Sequence, residues 1–100
     1  MYSELENEVL SIVMRARDLK KKSKQMADFV TEMAKYSEEL KQPDIERDRF
    51  LFIMSYWRFV LNYITVSFRS DISQEADKLD RRLIDLGTEL GTPFFKHFRD

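Results

Sequence analysis

The sequence predicts an all-α protein whose main unit is a long antiparallel helical hairpin. Three observations predict it: a heptad repeat over the first 40 residues, a helix-ending proline at Pro43, and a second heptad in the last third of the chain. One hundred residues make at most one domain. We take residues 1–91 as the helical domain and residues 92–100 as a short aromatic tail.

The first repeat has twelve positions spaced alternately three and four residues apart, and only two of them are not apolar. They are Tyr2, Leu5, Val9, Ile12, Ala16, Leu19, Ser23, Met26, Val30, Met33, Ser37 and Leu40. An a/d seam of this kind is typical of a coiled coil. It predicts one helix over residues 2–40, about 60 Å long at ~1.5 Å per residue, which needs a partner along its whole length.

A short connection should turn the chain back on itself after this helix. Pro43 ends the first helix, and Asp44 can cap a second helix that begins near Ile45. The two helices should then run antiparallel, with residue i opposite a residue near 86 − i. In this register the acidic N-terminal residues, Glu8 among them, face Lys78, Arg81 and Arg82, and Arg15 faces Asp71.

The second arm of the hairpin is unusually apolar over residues 50–68. Only Ser55, Arg58, Asn62, Thr65 and Ser67 interrupt the apolar and aromatic side chains. A heptad resumes at Ile72 after a one-residue shift of phase. Two structures fit: one long helix with a kink, or a third helix that folds back across the hairpin.

One antiparallel partner covers only one side of residues 50–68, so we expect two copies of the hairpin to pair as a four-helix bundle. An apolar surface left over on this helix would mark an interaction site. The candidate protein-contact residues are Phe52, Tyr56, Trp57, Phe59 and Tyr63, with Phe94, Phe95 and Phe98 of the tail as a second group. The same rings could instead form the core, line a ligand pocket or belong to a membrane span. Arg58 near the middle argues against a span, and we expect it at the edge of the bundle.

Six basic residues within ten positions form a second candidate site. They are Arg15, Arg17, Lys20, Lys21, Lys22 and Lys24. Such a run can contact the phosphates of nucleic acid or lipid, but a solvated helix face has the same composition. No aromatic residue lies within the run, which disfavours single-strand stacking.

The composition excludes several chemistries. Cysteine is absent, so disulfides, thiolate catalysis and sulfur-ligated zinc are excluded. The net charge of −1 gives no overall attraction to nucleic acid or acidic membranes. His97 is the only histidine and has no positioned nucleophile in the sequence pattern. We therefore expect no enzymatic activity, no cofactor and no metal, and a cytoplasmic location.

The function that this pattern favours is a homodimeric, non-enzymatic protein-interaction module: an adaptor, a regulator or a chaperone-like protein. Its plan is similar to that of many dimeric adaptors and export chaperones, which is a likeness of fold only. The alternative is a small nucleic-acid-binding regulator that uses the basic run. We expect a second copy and another protein as partners, and neither nucleic acid nor membrane.

Overall fold

The computed structural model describes residues 2–89, with side chains from Glu4 onward, and this part of the chain consists of helices and their connections, with no strand. The helices are α1 (Tyr2–Leu19), α2 (Lys24–Leu40), α3 (Arg47–Ser67) and α4 (Asp71–Glu89). The all-α prediction is confirmed. The predicted tail, residues 92–100, lies outside the described residues.

The prediction of a single helix over residues 2–40 is wrong, because the chain turns at residues 20–23, which we call the first bend. Ser23 is not a seam position but the N-cap of α2, and its Oγ accepts a hydrogen bond from the Met26 amide at 3.2 Å. A serine oxygen in this position satisfies one of the amides that a helix start leaves without a partner. The turn lets α1 and α2 pack in the same bundle instead of extending end to end.

The second arm also divides, at residues 68–70, which we call the second bend. The kinked-helix alternative is therefore wrong, and a separate helix does begin after it. Ser73 Oγ donates to the Thr65 carbonyl oxygen at 2.6 Å, so the start of α4 is joined to the last turn of α3. With only three residues between them, α3 and α4 have to run antiparallel.

Cross-helix pairs show that α1 also runs antiparallel to α4. Arg82 donates to Glu8 at 2.8 Å, and Arg15 meets Glu75 at 2.5 Å. The pairing of Glu8 with the basic group near residue 80 was predicted, but Arg15 meets Glu75 one turn beyond the predicted Asp71. Residue i therefore lies opposite a residue near 90 − i. The connection between α2 and α3 covers residues 41–46 and is longer than expected. The register therefore moves from the predicted 86 − i to 90 − i.

The core is built around α3, which contacts each of the other three helices. Ten of its residues are buried: Phe50, Leu51, Ile53, Met54, Ser55, Trp57, Arg58, Val60, Leu61 and Ile64. The molecule measures 36 × 29 × 20 Å, so no helix reaches the predicted 60 Å. One chain thus forms four antiparallel helices by itself and covers most of the apolar helix that was expected to require a second copy.

Arg58 lies inside this core and not at the edge of the bundle. Its Nε donates to Asp80 Oδ1 of α4 at 2.9 Å, and both side chains are 1% exposed. A buried guanidinium requires a carboxylate close by, because desolvating an uncompensated charge costs several kcal/mol. The charge in the middle of the apolar helix α3 is therefore balanced by a carboxylate of the same chain.

Candidate protein-interaction surface

Four of the predicted contact residues share one side of α3. Phe52, Tyr56, Phe59 and Tyr63 are spaced four, three and four residues apart, so they follow one helical stripe, and Val66 continues it. Phe52, Phe59 and Val66 are 42%, 51% and 82% exposed. Together with Phe29 and Tyr36 of α2, these residues form what we call the aromatic face.

The rings of the aromatic face hold one another in place by edge contacts. Phe29 lies edge-on to Tyr63 and Phe59, with centroids 5.1 and 5.9 Å apart. Tyr36 lies edge-on to Tyr56 and Phe52, at 5.2 and 5.9 Å. Edge-to-face pairs at these distances contribute about 0.5–1.5 kcal/mol each beyond the area that they bury. The exposed rings therefore have fixed positions before any partner arrives.

Trp57 does not belong to this face. It is buried among the residues that fill the bundle. The prediction grouped it with the other rings because it is aromatic and lies in the same stretch. Its position one residue after Tyr56 turns it about 100° around the helix, into the core.

One end of the aromatic face carries a cation that the sequence analysis did not single out. The Arg49 guanidinium lies 4.7 Å from the Phe52 ring centroid and 5.6 Å from that of Tyr36. Its Nη2 also donates to Glu39 at 2.9 Å, and its Nε contacts the same carboxylate. This pair raises the pKa of Arg49 and lowers the pKa of Glu39. Phe29 and Tyr36 lie one heptad apart on α2, and this spacing could have identified the α2 half of the face from the sequence.

Acidic residues of α2 border the face on its long side. Burial raises the pKa of Tyr56 to about 12, and the carboxylates of Glu32 and Asp28 add to that increase. Burial and Glu32 also raise the pKa of Tyr36. Glu32 itself is joined to Lys35 at 2.9 Å, whereas Asp28 is exposed. Burial is the larger cause of both pKa increases, and the carboxylates add to it.

The six residues of the predicted basic site differ in their contacts within the chain. Arg15 pairs with Glu75, and Arg17 lies 3.8 Å from Asp18. Lys20 Nζ donates to the Ser67 carbonyl oxygen at 3.0 Å and lies 4.4 Å from the Phe68 ring centroid. Three of the six are thus engaged within the chain. The rest, Lys21, Lys22 and Lys24, are exposed at and beside the first bend.

A shallow groove of about 520 Å³ runs between α1 and α4. Asn7, Ser11, Lys78 and Leu79 contribute to its walls, and the Glu8–Arg82 and Arg15–Glu75 ion pairs span it. The four residues of these ion pairs neutralise one another, and Lys78 adds a further positive charge to the lining.

Phe94, Phe95 and Phe98, the second predicted contact group, lie outside the described residues. None of the four helices in the described range is both long enough and apolar enough to cross a membrane. No protein-family model, curated protein or solved structure matches this chain.

Proposed function

We propose that this chain is a non-enzymatic protein-interaction module and that the aromatic face is its binding surface. The observation that carries the proposal is the exposure of Phe52, Phe59 and Val66 on a helix that buries ten of its 21 residues. An apolar stripe of fixed rings that stays in water is typical of an interaction site.

The chemistry of the face favours an amphipathic helix of another protein as its partner. Residues spaced i, i+4, i+7 on α3 match the apolar stripe of such a helix. The acidic border formed by Asp28 and Glu32 favours basic residues beside that stripe, because complementary charge selects and orients a partner. Arg49, which is paired with Glu39 and lies over the Phe52 ring, marks one end of the face.

The proposal includes a homodimer, which the apolar character of residues 50–68 led us to expect. Since a single chain already covers most of α3, the support for a dimer now comes from the heptad pattern over residues 2–40 and not from an uncovered helix. Two chains of 12.1 kDa should then give a particle of about 24 kDa.

Capture experiments with matched variants test the binding surface. Phe59→Glu places a charge on the exposed stripe, whereas Gln74→Glu places the same charge on an exposed position of α4, outside the aromatic face. Proteins captured from an extract of the source cells by the wild type should be lost with Phe59→Glu and retained with Gln74→Glu. A captured protein should then bind the purified chain directly in calorimetry.

Capture of the same proteins by the Phe59→Glu chain would show that the aromatic face is not the binding surface. Light scattering tests the dimer separately. A mass of one chain at every protein concentration would refute that part of the proposal.

A further inference from the structure

The heptad of the first arm continues through the first bend without a change of phase. Ile12 and Ala16 before the bend and Met26 and Met33 after it are all buried, and all four occupy the same a/d phase of the sequence repeat. Residues 19–24 contain neither glycine nor proline, and lysine is a good helix former. Nothing in the local sequence requires the helix to stop there.

The first bend leaves the apolar side chain of Leu19 exposed to water. It occupies a seam position, yet it is 64% exposed, unlike its seam neighbour Ala16, which is buried. In a helix that continues through residues 20–23, position 19 lies on the same side as Ala16 and Met26. A straight first arm would therefore return Leu19 to an apolar seam.

The two bends lie side by side and are joined by one residue. Lys20 of the first bend donates to the Ser67 carbonyl oxygen at the end of α3, and its ammonium lies over the Phe68 ring in the second bend. A cation beside the last carbonyls of a helix is favoured by the helix dipole. Lys20 thus stabilises the two bends together, and losing it should release both.

The register of the helix pairs is that of a single straight hairpin. In α1 and α4, Arg15 meets Glu75; in α2 and α3, Glu39 meets Arg49 and Phe29 meets Tyr63. All of these pairs join residue i to a residue near 90 − i. Straightening both arms at the bends therefore leaves the α1–α4 and α2–α3 pairings in place and separates the α1–α4 half from the α2–α3 half.

We propose that two copies of this chain open at both bends and exchange halves. The α1–α4 half of each copy then packs on the α2–α3 half of the other, so the contacts of the closed bundle, the Arg58–Asp80 ion pair included, form between chains. Exchange of this kind is a low-cost route to a dimer because it reuses existing contacts. This inference rests on the proposed homodimer and specifies its geometry.

The exchanged dimer is an elongated four-helix bundle. Its arms approach the length of about 60 Å expected for 39 helical residues at ~1.5 Å each. The aromatic face lies within the α2–α3 half, so the dimer presents two of these faces, one toward each end. Two faces on one rigid body allow bivalent binding, which raises the apparent affinity for a partner that also offers two sites.

A cysteine pair distinguishes the two forms directly. Thr65→Cys with Ser73→Cys places one thiol on each side of the second bend, at neighbouring positions of α3 and α4, since Ser73 Oγ lies 2.6 Å from the Thr65 backbone carbonyl oxygen. The wild-type chain has no cysteine. The disulfide forms within one chain in the closed bundle and between chains in the exchanged dimer. The protein is refolded from denaturant at low and at high concentration, oxidised and run on a denaturing gel without reductant.

A proline at the first bend should block the exchange without harming the closed form. Lys24 is the first residue of α2, where proline is well tolerated, and Ser23 before it already has an extended backbone, with ψ 113°. In a straight arm the same proline sits in a helix interior and breaks it. Lys24→Pro should weaken dimerisation by more than about 100-fold, while Lys24→Ala should not weaken it.

Removing the lysine that joins the bends should have the opposite effect. Lys20→Ala should strengthen dimerisation by about 5- to 30-fold, since each dimer opens two such contacts. Lys21→Ala is the matched control on the neighbouring exposed residue and should leave the dissociation constant unchanged. Helix content and thermal midpoint of every variant confirm that it folds.

The outcomes separate this inference from the homodimer itself. A dimer with disulfides between chains that Lys24→Pro abolishes supports the exchange. A dimer that keeps its disulfides within each chain and tolerates Lys24→Pro overturns the exchange and leaves the homodimer standing. A monomer at every concentration, in the wild type and in Lys20→Ala, overturns both.

Discussion

Arg58 Nε lies 2.9 Å from Asp80 Oδ1, and both side chains are 1% exposed, so an ion pair joins α3 to α4 inside the core. The pair places a charge in the middle of the most apolar segment of the sequence. Such a pair contributes little net stability compared with apolar residues of the same volume, but it strongly penalises the loss of either member. It also favours one register of α3 against α4, since any slip would separate the two groups.

Asp80→Ala should therefore lower the free energy of unfolding by about 3–5 kcal/mol, because the guanidinium stays buried without its carboxylate. The double variant Arg58→Met with Asp80→Leu should cost less than Asp80→Ala alone, since it removes both charges. Urea denaturation of the three proteins measures both effects. Exposed ion pairs contribute less than about 1 kcal/mol. If Asp80→Ala lowers the free energy of unfolding by no more than that, the buried position of the pair is contradicted.

Trp57 and Phe59 should respond very differently to truncation, although they lie two residues apart. Trp57→Ala opens a cavity in the core and should lower the free energy of unfolding by about 3–5 kcal/mol. Phe59→Ala removes a half-exposed ring and should cost about 1 kcal/mol, mostly from its contact with Phe29. Thermal and urea denaturation measure the difference. Equal losses would show that α3 is rotated from the orientation described here.

The sequence predicts the helical content and most of the seam, because periodic apolar positions determine which side of a helix is buried. It does not predict the first bend. Residues 20–23 contain good helix formers and no glycine or proline, so local preference favours continuation. Packing of α1 beside α2 in one bundle outweighs that preference, and this choice depends on contacts between residues far apart in the sequence.

The sequence predicts that aromatic residues of α3 form a surface, but it does not predict which of them belong to it. Phe52, Tyr56, Phe59 and Tyr63 were identified from their density, and the structure places them together. Separating them from Trp57 requires knowing which side of α3 the other helices cover. Asp80 illustrates the same limit, since its pairing with Arg58 depends on the α3–α4 register that the second bend creates.

The alkaline stability of the protein should depend on Tyr56. Burial and nearby carboxylates raise the pKa of Tyr56 to about 12, so the folded state favours the neutral phenol. This contribution is fully present below the unfolded pKa of about 10 and is lost as pH rises through the folded value. The free energy of unfolding should thus fall more steeply between about pH 10 and 12 in the wild type than in Tyr56→Phe.

Denaturant titrations across that range, with tyrosinate absorbance in the ultraviolet as a second readout, measure this difference. The comparison with Tyr56→Phe removes the contribution of lysines and arginines that titrate in the same range. Parallel stability curves for the two proteins would show that Tyr56 ionises as freely in the folded as in the unfolded chain.

The basic run should bind nucleic acid only weakly and with a modest dependence on salt. Arg15, Arg17 and Lys20 are engaged within the chain, which leaves Lys21, Lys22 and Lys24 for phosphates. Three phosphate contacts correspond to a fall in affinity of about 40-fold between ~50 and ~200 mM salt, against about 1000-fold for six. Fluorescence anisotropy with a labelled random-sequence duplex over a salt series measures the slope. Tight, sequence-selective binding at physiological salt, lost on changing these three lysines to glutamine, would instead favour the nucleic-acid-binding regulator over the protein-interaction module.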